Sequence, residues 1–181
     1  MKFAAFLRNV NLGRPGAPTK TQLEQAFAEA GGLDAQSFQV NGTAVFSARS
    51  PAGAERVLRK ALKLLREECG LVEPGCVRSL DELAPLVGSR VFKPFDPDDV
   101  YEYGLSFACD RDVAAPGKLP LDNPQGNVRL LALKDGNALS VCWKRGASPG
   151  SPNLFLERTT GVAWTTRAIG TVRRLLAKHA A

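Results

Sequence analysis

The sequence predicts an α+β protein built on antiparallel sheets, and three observations carry that reading. Phe3-Ala4-Ala5-Phe6-Leu7 is an apolar run of strand length that breaks abruptly into Arg8-Asn9-Val10-Asn11 and then Gly13. Asn41-Gly42 and Asp135-Gly136 each separate two strand-like runs, as a two-residue hairpin does when both turn positions need positive φ. Between these pieces lie stretches with apolar residues at helical spacing, preceded by capping residues.

In chain order, residues 3–10 read as a first strand, apolar enough to be buried on both faces. Gly13-Arg14-Pro15-Gly16-Ala17-Pro18 is a loop. Thr21 and Glu24 have the spacing of a capping box, opening a helix whose buried stripe is Leu23, Phe27 and Ala30 and which stops at Gly31-Gly32. Residues 36–40 and 43–47 are the two strands around Asn41-Gly42. Ser50-Pro51 supplies an N-cap and a proline at the first helical position. That helix runs to about Cys69, turns Leu58, Ala61, Leu62 and Leu65 inward, leaves Arg56, Arg59, Lys60, Lys63 and Arg66 outside, and ends at Gly70. Residues 75–79 form a fourth strand. The order strand, helix, strand, strand, helix, strand is the ferredoxin-like βαββαβ pattern, so residues 1–79 are expected to be a ferredoxin-like subdomain.

Residues 80–181 read as a second small α+β subdomain with an antiparallel sheet. Ser79 and Glu82 cap a short helix to Val87, and residues 88–100 are a linker in which Phe92 and Phe95 provide anchors. Tyr103, Leu105, Phe107 and Cys109 alternate with Glu102, Gly104, Ser106 and Ala108, a period-two strand with one buried face. Residues 111–126 are a long polar loop. Residues 127–134 and 138–143 flank Asp135-Gly136, Ser151-Pro152 opens a short helix through Leu154 and Phe155, and a last helix turns Ile169, Val172, Leu175 and Leu176 inward with Arg173, Arg174 and Lys178 outward.

Composition narrows the chemistry. At 181 residues, 44% hydrophobic and 23% charged, the chain is that of an ordinary globular protein. No run approaches the ~20 apolar residues of a membrane span, and five apolar residues before Arg8 are too few for a secretory signal, so a cytoplasmic location without membrane partners is expected. The single histidine, His179, reads as a solvated residue at a helix end, which argues against Ser-His-Asp, Cys-His and histidine-rich metal mechanisms. Cys69, Cys76, Cys109 and Cys142 form no CxxC pair; Cys109 and Cys142 read as buried thiols in strands. Asp96, Asp98 and Asp99 lack the spacing of a calcium loop and read as a solvated acidic turn, so neither metal nor cofactor is expected. The net charge of +6 is uneven: residues 141–181 carry seven Lys/Arg against one acidic residue. A basic segment of this kind suits phosphate or nucleic acid, or simply keeps a surface solvated.

Three pieces are candidates for a ligand site: Arg8 and Asn11, with Arg14, after the first strand; the hairpin tip Asn41-Gly42-Thr43; and Thr165-Thr166-Arg167 ahead of the last helix. Arginine forks pair with phosphate, and the helix start near Thr21 adds backbone N–H groups. The loop from Gly13 to Gly16 is not a Walker A motif, since no Gly-Lys-Ser/Thr follows. The structural alternative is that Asn11 ties down its loop, Thr165 or Thr166 caps the last helix and Arg167 meets a carboxylate. Trp143 and Trp164 read as packing residues, with base stacking by Trp164, beside Thr165 and Arg167, as the lesser alternative.

These stretches resemble a known family. Leu7-Arg8-Asn9-Val10-Asn11-Leu12-Gly13, Phe38 through Phe46, and Thr165-Thr166-Arg167 with Thr171-Val172 are similar to the LLRGINVGG, YxxSGNVVF and TTRNWNTV stretches of the family called domain of unknown function 1697. The resemblance spans essentially the whole chain as one family domain. It implies two α+β subdomains, the first ferredoxin-like, and a bacterial cytoplasmic setting, but no activity. The chain departs from the family at Asn9, at Asn41-Gly42-Thr43 in place of Ser-Gly-Asn, and at Ala168, Ile169 and Gly170 in place of Asn-Trp-Asn. Three functional readings stay open: a binding protein that recognises a phosphate-bearing partner or nucleic acid through Arg8, Asn11 and Arg167; a small-molecule enzyme acting on an anionic substrate in the same cleft; and a structural or interaction protein without a site.

Overall fold

A computed structural model describes residues 1–145 and 149–179. It shows an α+β protein with two antiparallel sheets. The elements are β1 (Lys2–Leu7), α1 (Lys20–Glu29), β2 (Leu33–Ser37), β3 (Thr43–Ser47), α2 (Pro51–Cys69), β4 (Gly75–Ser79), α3 (Leu80–Val87), β5 (Val100–Ala108), β6 (Leu121–Asp122), β7 (Val128–Lys134), β8 (Asn137–Trp143), α4 (Pro152–Thr160), β9 (Trp164–Ala168) and α5 (Ile169–His179), with a 3₁₀ turn at Arg90–Phe92. Two compact units result: residues 1–83 with the chain from Leu175 onward, and Ala84–Arg174. The sequence reading puts its division after Ser79.

The first unit is a four-stranded sheet in the order β2-β3-β1-β4, every neighbouring pair antiparallel. β1 is a central strand, and Phe3 through Leu7 are all buried, as an apolar run without alternation requires. Phe3, Ala5 and Leu7 join Leu23, Phe27, Val57, Leu58 and Leu65 of the two helices in one core. α2 follows its sequence signals closely: Ser50 caps Gly53 N, Pro51 opens the helix and Gly70 closes it in the left-handed conformation.

Two details of this unit differ from the sequence expectation. α1 starts two residues early, because Thr19 and Gln22 form the capping box: Gln22 N donates to the Thr19 hydroxyl at 3.2 Å, and Thr19 N donates to Gln22 Oε1 at 2.8 Å. Glu24 is thereby released to bind β2, accepting from Ser37 N at 2.8 Å and Ser37 Oγ at 2.9 Å. The hairpin is not a two-residue turn at Asn41-Gly42 either. Phe38 N donates to Thr43 O at 2.8 Å, which encloses Gln39 to Gly42, and positive φ falls on Gln39 (59°) and Gly42 (66°) rather than on Asn41. Burial of Phe38 moves the turn: placing that ring in the core turns the chain over before Asn41.

The second unit is a five-stranded sheet in the order β6-β7-β8-β5-β9. Asp135 and Gly136 both have positive φ (51° and 68°), and Lys134 pairs with Asn137, so this hairpin has the two-residue turn its sequence signals. Ser151 caps Leu154 N and Pro152 opens α4. Phe92 lies edge-on to Tyr103 at 5.0 Å and Phe95 edge-on to Trp143 at 5.5 Å, which docks the linker as expected. β5 is buried on both faces from Gly104 to Ala108, not on one. It lies between β8 and β9, and its small residues Gly104, Ser106 and Ala108 give α4 room to cover them. The polar loop before β7 contributes a short strand, β6, where Asp122 takes both the Nε and Nη2 of Arg129 at 2.7 Å.

Candidate ligand-binding site

β1 ends where its polar residues begin, and the carboxylate of Glu73 binds the first two residues of the turn that follows. Arg8 Nη1 lies 2.7 Å from Glu73 Oε2, and Asn9 Nδ2 donates to Glu73 Oε1 at 3.3 Å. Arg8 N donates to Pro74 O at 2.9 Å, and Asn9 takes a left-handed φ of 52° that lets the chain reverse and bury Val10. Asparagine tolerates this conformation better than most residues, a local reason for Asn9 at that position. Asn11 is exposed; its carbonyl accepts from Arg14 N at 3.2 Å, so Asn11 does tie down the loop, through its backbone. Arg14 is exposed on that loop.

The structure brings the hairpin tip against this turn. Leu7 N donates to Gly42 O at 2.9 Å and Leu12 N to Val40 O at 2.7 Å. A Cβ on Gly42 would lie 2.6 Å from Val10 Cβ and 3.2 Å from Leu7 Cβ, so only glycine lets the two segments meet. Thr43, buried in β3, donates its hydroxyl to Asn41 Oδ1 at 2.8 Å. Gly42 and Thr43 therefore build the backbone frame.

Beside that frame lies a shallow concavity of about 460 Å³ with Gly13, Thr19, Lys20, Gln39, Val40 and Lys178 in its wall. Lys20 is 4.0 Å from Glu24 across one helical turn. Lys178 comes from α5, whose last turn belongs to the first unit. His179 follows it and is half-buried rather than solvated, edge-on to Phe38 at 6.0 Å, with its carbonyl accepting from Lys2 Nζ at 2.8 Å. Burial first, then the charges of Lys178 and Lys2, hold its imidazole below the ordinary histidine pKa.

Thr165, Thr166 and Arg167 belong to the second unit and are described within it. They do not cap α5; they form β9, the edge strand beside β5, with Arg167 opposite Leu105. Arg167 is only 8% exposed and donates from Nη1 to Thr165 Oγ1 at 2.8 Å and Thr166 O at 2.9 Å. Thr166 donates its hydroxyl to Asn153 Oδ1, leaving its oxygen to accept from Ser106 Oγ at 2.7 Å. Trp164 is fully buried with Nε1 donating to Thr160 Oγ1, and Trp143 is buried too, so both are packing residues. Arg8 and Arg167, the two arginines that sequence singles out, each make hydrogen bonds inside their own unit.

Other groups fall into place around these. Asp98 N donates to Asp96 Oδ1 at 2.9 Å in an exposed acidic turn, and among the described residues no three His, Cys, Asp or Glu side chains converge as a metal site would. All four cysteines are free thiols; Cys142 is buried and Cys109 only partly so. Burial, then the charge of Glu102, pushes the Cys142 thiol up to about 12. Sequence reasoning missed Glu73, which stands in a loop with no periodicity to flag it, and Lys20; it placed Lys178 on the outward face of the last helix but not in one wall with Lys20, which depends on the last turn of α5 belonging to the first unit. It also missed Arg78, which is 1% exposed within β4, donates to Val77 O at 2.9 Å and lies 3.6 Å from Glu82.

Fold and site together define a class: an α+β protein of two antiparallel sheets whose most distinctive loops are tied by backbone bonds, with a cation-bearing hollow beside them. The family model described as "Protein of unknown function (DUF1697)" matches residues 1–122, and the chain belongs to that family. No curated protein matches it. Among solved structures it is similar to the conserved bacterial protein SP0830 from Streptococcus pneumoniae, at 14% identity and a TM-score of 0.63 over 99% of this chain and 98% of that one. At that identity the likeness speaks to the fold.

Proposed function

We propose that this protein binds a phosphate-bearing partner, and that the loop end of the first unit is where it does so. The observation that carries the reading is the hollow of about 460 Å³, which has Lys20 and Lys178 in its wall beside the start of α1. Its volume is in the range of small-molecule sites. Arg8 and Arg167 enter as framework: Arg8 holds the turn through Glu73, and Arg167 holds β9 through Thr165. Lysine suits this role as a compact, hydrated charge that adjusts to a phosphate oxygen. No helix among the described residues is long and apolar enough to cross a membrane. A cytoplasmic setting goes with the reading, because free thiols persist there and phosphorylated metabolites and nucleic acids are abundant.

The test is a thermal-shift screen with inorganic phosphate, nucleoside monophosphates and nucleoside triphosphates. At a ligand concentration of 100 Kd the folded state gains about 2.7 kcal/mol, roughly 5–11 °C for a chain of this size. The shift is expected to disappear in Lys20→Ala/Lys178→Ala and to persist in Arg8→Ala. A wild type that no ligand shifts, or a double variant that shifts as the wild type does, refutes the reading.

A further inference from the structure

We infer that the basic face of α2, entered from the hollow at its N-terminal end, is a docking surface for the backbone of single-stranded nucleic acid. The inference rests on the reading that the partner bears phosphate, but it concerns a surface separate from the loop end. The starting point is a concavity of about 320 Å³ whose wall includes Arg49, Arg56 and Lys60, with Leu33 and Val57 as its apolar part. None of these three cations makes an ion pair or hydrogen bond among the described residues, unlike Arg8, Arg78 and Arg167. No acidic residue stands in the first turn of α2 to offset them, and the Arg56 guanidinium lies over that turn, 3.8 Å from where a Cβ of Gly53 would be. Three uncompensated charges around one hollow repel one another, and an anion placed among them relieves the repulsion.

The charge continues along the helix. Arg56, Arg59, Lys60, Lys63 and Arg66 are all exposed, and at 100° per residue they fall within about a third of the helix circumference. From Arg56 to Arg66 the face runs about 15 Å, long enough to meet several successive phosphates of a strand. Glu67, 3.8 Å from Lys63, closes the stripe. The rival basic segment is less available: on α5, Arg173 donates to Val87 O at 3.0 Å and Arg174 to Thr171 Oγ1 at 3.1 Å. Leu33, 65% exposed at the lip of the hollow, offers an apolar surface to a sugar or base. A free phosphate would need only the hollow; the stripe beyond it is what a polymer would use.

The experiment measures fluorescence anisotropy of a labelled 12-nucleotide oligouridylate with the full chain at a series of salt concentrations. Wild type is compared with Arg49→Ala/Arg56→Ala/Lys60→Ala, and the loop-end variant Lys20→Ala/Lys178→Ala serves as control. Arg56 and Lys60 lie in α2, where alanine favours helix, and Arg49 is exposed ahead of its cap, so folding is expected to hold, as circular dichroism melts would check. Expected is at least a tenfold loss of affinity in the triple variant, with the slope of log K against log salt flattened by about 2, since each phosphate contact on a single strand contributes roughly 0.7. The loop-end variant keeps most of the affinity and the full slope. The inference is overturned if the triple variant binds like wild type, if wild type does not bind the oligonucleotide at low salt, or if oligoglutamate of equal length competes as well as RNA. None of these three results removes a ligand-induced thermal shift at Lys20 and Lys178, so the two readings fail separately.

Discussion

Replacing Gly42 with alanine tests whether the hairpin tip serves as framework or as ligand contact. The glycine sits at a φ of +66°, where an L-residue pays about 1–2 kcal/mol. Its new methyl would meet Val10 Cβ at 2.6 Å and Val10 Cγ1 at 2.9 Å. A Cβ is fixed to its own backbone, so no rotamer of Val10 relieves the first of these contacts. Either the turn after β1 or the tip must shift, and overpacking of this kind costs about 1–3 kcal/mol. The movement would also stretch Leu7 N to Gly42 O, a 2.9 Å bond that closes the end of β1. Together the loss comes to about 2–5 kcal/mol, which for a chain of this length lowers Tm by roughly 4–20 °C. The internal control is Gly13→Ala, where φ is +79° but nothing lies within 4 Å of the new methyl, leaving the backbone cost alone. Urea unfolding followed by circular dichroism measures both. If Gly42→Ala costs no more than Gly13→Ala, the close approach to Val10 does not hold the tip in place, and the framework reading of this stretch is wrong.

Two further expectations concern the face of β5 and β8 where Glu102 stands opposite Cys142. Burial raises the Glu102 carboxyl above its ordinary 4.5, so the folded state resists the charged form. The folded protein therefore binds more protons than the unfolded one between 4.5 and the raised value, and stability falls as pH rises through that window. Glu102→Gln is expected to raise Tm at pH 7, with the gain closing below 4.5; a gain independent of pH, or a loss at pH 7, contradicts this. The Cys142 thiol, pushed up to about 12, stays protonated and is expected to resist Ellman's reagent in the native protein at pH 8, while the half-buried Cys69 and Cys109 react first. Four thiols reacting at one rate without denaturant would refute it.

Much of the architecture was legible from residue order. The apolar run Phe3–Leu7, the caps Ser50-Pro51 and Ser151-Pro152, the Asp135-Gly136 turn and the amphipathic stripe of α2 are local signals: each depends on the stereochemistry of a few neighbouring residues, and each structure formed as its signal requires. The first two family stretches, within the residues 1–122 that the family model matches, were legible for the same reason, being contiguous. Where a local signal met a competing contact, tertiary structure prevailed. Asn41-Gly42 lost its two-residue turn because Phe38 is buried, and Thr21 lost the cap of α1 to Thr19, whose hydroxyl and Gln22 close a reciprocal box that leaves Glu24 to Ser37. Thr165 to Arg167 became an edge strand because β5 offered an unpaired ladder, a partner sixty residues away that no local window contains. Which cations are spent internally was also decided in three dimensions. Arg8 and Arg167, set in conspicuous motifs, bond to groups of their own unit, while Arg49, Arg56 and Lys60, in an ordinary amphipathic pattern, gather around a hollow. Sequence spacing determines which face of a helix a charge occupies, but the pairing of that charge depends on what the rest of the chain brings within a few ångströms.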